Sequence, residues 1–320
     1  MSIRLGIIGT GRIAQRFVSD LQLVEGVSLT CVYNPHEGSA HNFIINYCGK
    51  YEKQPTETME WSQLVQSCDA IYIATPHETH YFYAKAALEA GKHVLCEKPM
   101  ALHKWEAEKL FEIARKQGLV LREAVKTAYC PGFVKLLEVA QDGRIGDICD
   151  VEAAFTKLEN SQNRELTDCM YGGSVTELGT YGLLPILKLL GCEYKELRFQ
   201  SLYIPNGLDK YTKIFLNYEN AMATAKVGLG VKSEGQLLIS GTKGYILAES
   251  PWWLPRKFEV RYENSEMREI YESEYTGFGL VYEIRDFVRE CKGERSCMGV
   301  SANETIVTAQ IIEEFLKSRL

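Results

Sequence analysis

The chain has 320 residues, 46% of them hydrophobic and 24% charged, with a formal net charge of −6. That is the composition of a soluble globular protein of about two domains, and with no basic run or basic domain it offers no footprint for nucleic acid or an anionic membrane surface. No apolar run approaches membrane-spanning length and the first residues enter a strand pattern with no cleavable signal, so the expectation is a cytoplasmic protein acting on a small molecule.

The ten cysteines run from Cys31 to Cys297 without a Cys-x-x-Cys pair, which points to small buried hydrophobes kept reduced rather than to disulfides. His77-Glu78-Thr79-His80 spaces its histidines i,i+3, not the i,i+4 of a zincin helix, so no metal ion is expected.

From the start, Ile3 to Ile8 is an apolar strand run. Gly9-Thr10-Gly11-Arg12-Ile13-Ala14 follows, and Phe17, Val18 and Leu21 continue at helical spacing. In this strand, turn, helix context Gly9 permits the tight turn, Gly11 lets a pyrophosphate approach the backbone, and Ala14 allows close packing. The backbone N–H groups of the helix start then face the phosphates. Val27 to Tyr33 is the second strand. Its end should meet the adenosine ribose, where an acid would select NAD and a nearby arginine NADP. Asn34, followed by Pro35 and His36, is neither, so the choice between NAD and NADP stays open, with Arg12, His36 and Ser39 as candidate phosphate ligands.

Ala70 to Ala74 forms a buried strand ending in Thr75-Pro76-His77, and Tyr81 to Ala90 a helix closed by Gly91. His93 to Cys96 is a short buried strand whose end carries Glu97 and Lys98. Pro99 biases Lys98 to an extended backbone, which places the lysine at the strand's carboxyl end, where open parallel sheets bind ligands. Trp105 to Lys116 is an amphipathic helix ended by Gly118, and a sixth strand starts at Leu119 to Leu121. Alternating strands and helices predict a doubly wound parallel sheet over residues 1–122.

Beyond Glu123 the alternation stops. Phe133 to Ala140 is a helix, Ile148 to Phe155 a strand, and Ser174 to Leu190 a longer helix closed by Gly191. Strand runs follow at Leu197 to Ile204, Tyr211 to Tyr218, Ala221 to Val227 and Gln236 to Ser240. A hairpin turn at Gly241 to Gly244 leads into Tyr245 to Leu247, and helices over Gly279 to Cys291 and Ser301 to Leu316 end the chain. Residues 123–320 are thus a strand-rich second domain, whose last helices pack back on the first. On the helix from Ser174, Glu177 and Tyr181 lie four residues apart, one turn above each other behind the Gly172-Gly173 turn. Trp252 and Trp253 are assigned to packing or an oligomer face, and Arg164 to a solvated loop.

These residues carry a family resemblance. Gly9 to Ala14, Asp69 to Pro76 with His80, Gly91 to Pro99, Gly143-Arg144-Ile145-Gly146-Asp147 and Gly172-Gly173-Ser174 resemble the glucose-fructose oxidoreductase, inositol dehydrogenase and MocA family. The similarity covers nearly the whole chain. It implies an N-terminal Rossmann domain followed by an α+β domain on a large, mainly antiparallel open sheet, whose exposed face makes a homodimer or homotetramer. It also implies a nicotinamide cofactor, with Thr75, Pro76, His80, Glu97 and Lys98 lining it and Lys98 reaching a sugar, polyol or related substrate. Many family members hold Asp and His where this chain has Glu177 and Tyr181. The sugar and dihydrodiol dehydrogenase branch carries the tyrosine.

The expected chemistry is hydride transfer between the nicotinamide and a hydroxyl-bearing carbon. Tyr181 passes the proton, Lys98 favours the phenolate and orients the hydroxyl, and Glu177 positions the pair. Two alternatives are a non-catalytic, cofactor-binding sensor or regulator of the same fold, and a reductase of a non-sugar carbonyl compound.

Overall fold

A computed structural model describes residues 2–296 and 298–319. It divides into two compact units, Met1–Lys126 with Thr276–Thr305, and Thr127–Tyr275 with Ile306–Leu320.

The first unit is built on β1 (Ile3–Ile8), β2 (Val27–Tyr33), β3 (Thr56–Thr58), β4 (Ala70–Ile73), β5 (His93–Glu97) and β6 (Leu121–Ala124). They form one sheet in the order β3-β2-β1-β4-β5-β6, and every pair is parallel. The helices are α1 (Arg12–Leu21), α2 (Ser39–Tyr47), α3 (Trp61–Ser67), α4 (His80–Glu89) and α5 (Lys104–Gln117). This is the expected doubly wound sheet. Its strand order reverses between β1 and β4, which opens a ligand crevice at their carboxyl ends. The central strands are hydrophobic on both faces because helices cover both, as β4 shows with all four residues buried.

The segment from Thr276 joins this unit for identifiable reasons. Asp20, buried at the end of α1, accepts the Phe278 N–H at 2.9 Å and the Leu280 N–H at 2.9 Å. Leu280, Val281, Ile284, Phe287 and Val288 enter the same core as Phe17, Val18 and Leu21 of α1. Arg122 of β6 forms a two-pronged pair with Glu290, one prong at 2.6 Å.

The second unit holds α6 (Pro131–Gln141), β7 (Ile148–Thr156), α7 (Arg164–Thr167), α8 (Ser174–Leu190), β8 (Glu196–Tyr203), β9 (Asp209–Asn217), β10 (Met222–Gly228), β11 (Leu237–Gly241), β12 (Gly244–Ala248), β13 (Lys257–Tyr262) and β14 (Arg268–Glu272). These strands make one sheet in the order β14-β13-β12-β11-β7-β10-β9-β8. The β7/β10 pair is parallel and the remaining pairs antiparallel. α9 (Val281–Cys291) belongs to the first unit, and the division falls inside α10 (Ala302–Ser318), after Thr305. The accessible face of the sheet is more mixed than the apolar strand runs imply. Period-2 alternation leaves Tyr211, Lys213 and Phe215 of β9 and Met222, Thr224 and Lys226 of β10 on the less buried side.

The nine described cysteines are free; five are buried, whereas Cys149 and Cys169 are exposed, one at the start of β7 and one just beyond α7. Cys297 lies outside the described residues. Among the described residues no His, Cys, Asp or Glu side chains are grouped as metal ligands would be, and no helix is long and apolar enough to cross a membrane.

Glu123 of β6 ties the first unit together from inside. It is 2% exposed, accepts the Met100 N–H at 3.0 Å and receives the Thr305 hydroxyl at 2.8 Å. Burial pushes its carboxyl up to about 7, against the hydrogen bonds and Lys98 that pull it down. Because the native state holds this proton where the unfolded chain has released it, Glu123 makes stability fall as pH rises from about 4.5 to about 7. The full shift corresponds to about 3 kcal/mol. Glu123→Gln keeps an oxygen for Met100 and an amide that the Thr305 hydroxyl can accept. The variant is expected to show a flatter stability curve over that window and to gain on wild type above pH 7, measured by urea unfolding at a series of pH values.

Candidate functional site

The glycine turn after β1 is shaped by two different needs. Gly9 has φ +94°, and a Cβ there would stand 2.4 Å from the Ala74 carbonyl oxygen, so the turn packs against the end of β4 with no room for a side chain. Gly11 has an ordinary φ of −75° and precedes α1. A Cβ on it meets nothing within 4 Å. No side chain caps α1 and no acid stands in its first turn, so this helix start presents its backbone N–H groups without a built-in carboxylate competitor. Those features fit a dinucleotide pyrophosphate, which Gly11, Arg12 and Ile13 would hold.

Asn34 directly follows β2 and is buried, with its amide already engaged. It donates to the Thr10 hydroxyl at 2.9 Å and accepts the His36 N–H at 2.9 Å. Its visible work is to hold Thr10 and the turn beyond β2 in register.

At the end of β4, Thr75 is half-buried and Pro76 exposed. A 3-10 turn, His77–Thr79, follows and leads into α4. His80 is fully buried. Its ring nitrogens lie 2.8 Å from the Pro99 carbonyl and 2.9 Å from the Thr75 carbonyl, so one imidazole joins the turns after β4 and β5. Glu97 is buried too. It accepts the Tyr72 hydroxyl at 2.7 Å and the Lys98 N–H at 3.2 Å. Tyr72 stacks on Phe17 of α1, ring centroids 3.6 Å apart. Burial drives the Glu97 carboxyl up, opposed by the Lys98 charge and the Tyr72 hydrogen bond.

The predicted residues of this unit therefore separate into two sets. Thr10, Gly11, Arg12, Ile13, Thr75, Pro76 and Lys98 are accessible, whereas Gly9, Asn34, His80 and Glu97 are interior supports behind them. Tyr72 was not foreseen from sequence. A tyrosine in the middle of an otherwise aliphatic buried strand is the signal that would have found it, since a buried phenol needs an acceptor.

In the second unit, α8 starts directly after the Gly172-Gly173 turn and runs to Leu190. It is buried almost all round. From Ser174 to Leu187 only Glu177 and Tyr181 escape burial, so the carboxylate and the phenol form the helix's one accessible stripe. The Tyr181 ring leans on Phe155 of β7, centroids 5.1 Å apart, and Phe155 stacks flat on Trp253 at 3.7 Å. Trp252 is fully buried and donates from its indole to the Ala154 carbonyl at 2.8 Å, a packing role. Arg164 opens α7, paired with Asp168 at 3.7 Å.

Two matching family models now place the chain. The N-terminal one, described as oxidoreductase family with NAD-binding Rossmann fold, matches residues 3–125, and the GFO/IDH/MocA C-terminal domain matches residues 133–247. The chain belongs to the Gfo/Idh/MocA oxidoreductase family. Its relatives include trans-1,2-dihydrobenzene-1,2-diol dehydrogenase of Sus scrofa, 28% identical over 99% of this chain and 97% of that one. Another is scyllo-inositol 2-dehydrogenase (NADP(+)) of Bacillus subtilis, 27% identical over 98% and 96%. Among solved structures, a 3-ketoreductase from Actinomadura kijaniata in complex with NADP and TDP-benzene shares the fold, with a TM-score of 0.84 at 21% identity over 98% of this chain and 96% of that one.

The glycine turn yields a direct test. Gly11→Val, at a position with room for its side chain in the free protein, is expected to fold as wild type and to weaken NAD(P)H binding by roughly 100-fold or more by blocking the pyrophosphate. Isothermal titration beside a thermal melt checks both; wild-type affinity would refute the assignment.

Proposed function

We propose that this protein is an NAD(P)-dependent dehydrogenase that moves hydride between the nicotinamide and a hydroxyl-bearing carbon of a sugar, polyol or cyclic diol. The observation that carries the reading is the accessible Glu177 and Tyr181 stripe on an otherwise buried α8. Lys98 at the carboxyl end of β5 supports it, as do the diol and inositol dehydrogenases among the relatives.

The bound nicotinamide supplies the hydride chemistry. The chain's own part is to hold the pyrophosphate over α1, orient the hydroxyl and move one proton. Lys98 donates to the substrate oxygen and stabilises the charge that develops there. Tyr181, as the phenolate, takes the proton from the hydroxyl in oxidation and, as the phenol, returns it in reduction. Glu177, one turn away on the same face, positions the hydroxyl and the phenol. Asn34, uncharged and engaged with Thr10 and His36, places no carboxylate where a 2′-phosphate would sit. NADPH is therefore expected to bind at least as tightly as NADH, by competitive titration of the two.

General acid-base catalysis contributes typically about 10²–10⁴-fold, and Tyr181→Phe is expected to lose about that factor in turnover while cofactor affinity stays near wild type. Lys98→Met should lose turnover as well. The losses should not multiply in the double variant, because both residues serve one proton transfer. The measurement is steady-state kinetics on a panel of sugars, inositols and cyclic diols. Wild-type turnover in Tyr181→Phe, with a substrate deuterium isotope effect showing that chemistry limits the rate, would refute the role. Cofactor binding without turnover on any substrate would favour the sensor.

The same reading includes a homodimer or homotetramer formed through the accessible face of the second unit's sheet, where Tyr211, Phe215 and Met222 stand among charged residues. Light scattering at working concentration is expected to report a dimer or larger, and a monomer would remove the proposal.

A further inference from the structure

The start of α8 is held by a buried ion pair that the proton-transfer scheme does not use. Gly173 precedes the helix with φ +111°, and a Cβ built on it would fall 2.1 Å from Oδ1 of Asp209. The carboxylate therefore occupies the space a side chain would take. Asp209 opens β9 and is fully buried. Its Oδ2 accepts the Val175 N–H at 3.0 Å and the Thr212 hydroxyl at 2.9 Å, so a carboxylate from another element caps α8 where the glycine cannot. Ser174 donates to the Asp209 carbonyl at 2.8 Å and accepts the Leu229 N–H at 3.0 Å.

Oδ1 of Asp209 has no hydrogen-bond partner among the described residues. It faces Arg319, whose guanidinium lies 3.8 Å away with its side chain only 8% exposed. That guanidinium is committed elsewhere. It donates to the Gly172 carbonyl at 2.9 Å and to the Cys169 carbonyl at 3.1 Å, so it grips the turn before α8 while its charge faces the carboxylate. Burial pushes Asp209 up to about 6, and Arg319 is among the groups that pull it down.

We propose that Asp209 and Arg319 are positioning residues for the reaction: together they fix the Gly172-Gly173 turn from both sides and so set the rotation of the first turns of α8, which present Glu177 and Tyr181. The inference rests on the proposed roles of those two residues. Their side chains leave the helix within two turns of the clamp, and a turn that relaxes would carry the phenol away from its working position. Misplacement by about 1 Å can cost on the order of 10²-fold in rate.

The test is a kinetic cycle. Arg319→Met is expected to lower kcat by about 10- to 100-fold while the NAD(P)H dissociation constant stays within about twofold of wild type. Arg319→Lys, which restores the charge and one donor, should recover most of the loss. In a Tyr181→Phe background the same Arg319→Met change should cost less than about threefold, because the group it positions is already gone. An equal loss in both backgrounds, or wild-type kcat in Arg319→Met, would overturn the proposal. Should Arg319→Met fail to fold, Asp209→Asn, which keeps an oxygen for Val175 and removes the charge, is carried through the same cycle with the same criteria. Tyr181→Phe alone separates the two hypotheses: full activity there refutes the proton carrier, whereas low activity there with full activity in Arg319→Met refutes only the clamp.

Discussion

The crevice of the first unit depends on one buried imidazole. Parallel strands end with carbonyl groups that have no further ladder partner, and leaving such a group buried and unpaired costs about 1–3 kcal/mol. His80 stands at two such ends, its ring nitrogens 2.9 and 2.8 Å from the carbonyls of Thr75 and Pro99, and the single N–H of a neutral imidazole satisfies one of the two. Those carbonyls belong to the turns that carry Thr75, Pro76 and Lys98. The ring thereby links two pieces of accessible surface in the proposed cofactor site without reaching that surface itself.

The same division of labour recurs. Glu97 accepts the Lys98 N–H and the Tyr72 hydroxyl from inside the sheet, Asn34 steadies Thr10, and Asp209 caps α8 behind Glu177 and Tyr181. In each case the accessible residue of the proposed site is one whose place is held by a polar group out of solvent. Buried polar groups with paired donors and acceptors specify one geometry, because an alternative leaves one of them unpaired. Asp209 is the exception, its Oδ1 facing, among the described residues, only the charge of Arg319 at 3.8 Å.

Much of the fold was legible because periodicity is local. The helix predicted from Ser174 to Leu190 appears with those bounds, and the strand runs of both halves fall within a few residues of their observed limits. β13 and β14 were overlooked: Lys257, Glu259 and Arg261 on the outward positions of β13 dilute its apolar alternation, and β14 has Ile270 on its exposed side and Glu269 on the other, so its residues show no apolar alternation at all. The short α2, α3 and β3 were overlooked for want of length. Of the proposed site, residues at strand ends and on one helix face could be named from the sequence; His80, Glu97 and Asn34 were named too, but for the cofactor rather than as buried supports, and Tyr72, Asp209 and Arg319 were not named. Arg319 lies 147 residues from the Gly172 carbonyl it binds, and Thr305 lies 182 from Glu123. No spacing rule within one element reaches across such distances.

The family supplies the cofactor half with its general chemistry, and the account turns on whether this chain completes that chemistry on a substrate carbon. The most direct measurement follows the hydride itself. Purified protein is incubated with NAD⁺ or NADP⁺ and a panel of sugars, inositols and cyclic diols deuterated on the hydroxyl-bearing carbons, and the reduced nicotinamide is examined by mass spectrometry. The account predicts deuterium on the nicotinamide ring from at least one substrate, with the transfer sharply reduced in Tyr181→Phe. Tight cofactor binding with no deuterium transferred from any member of the panel, in either cofactor, would contradict it.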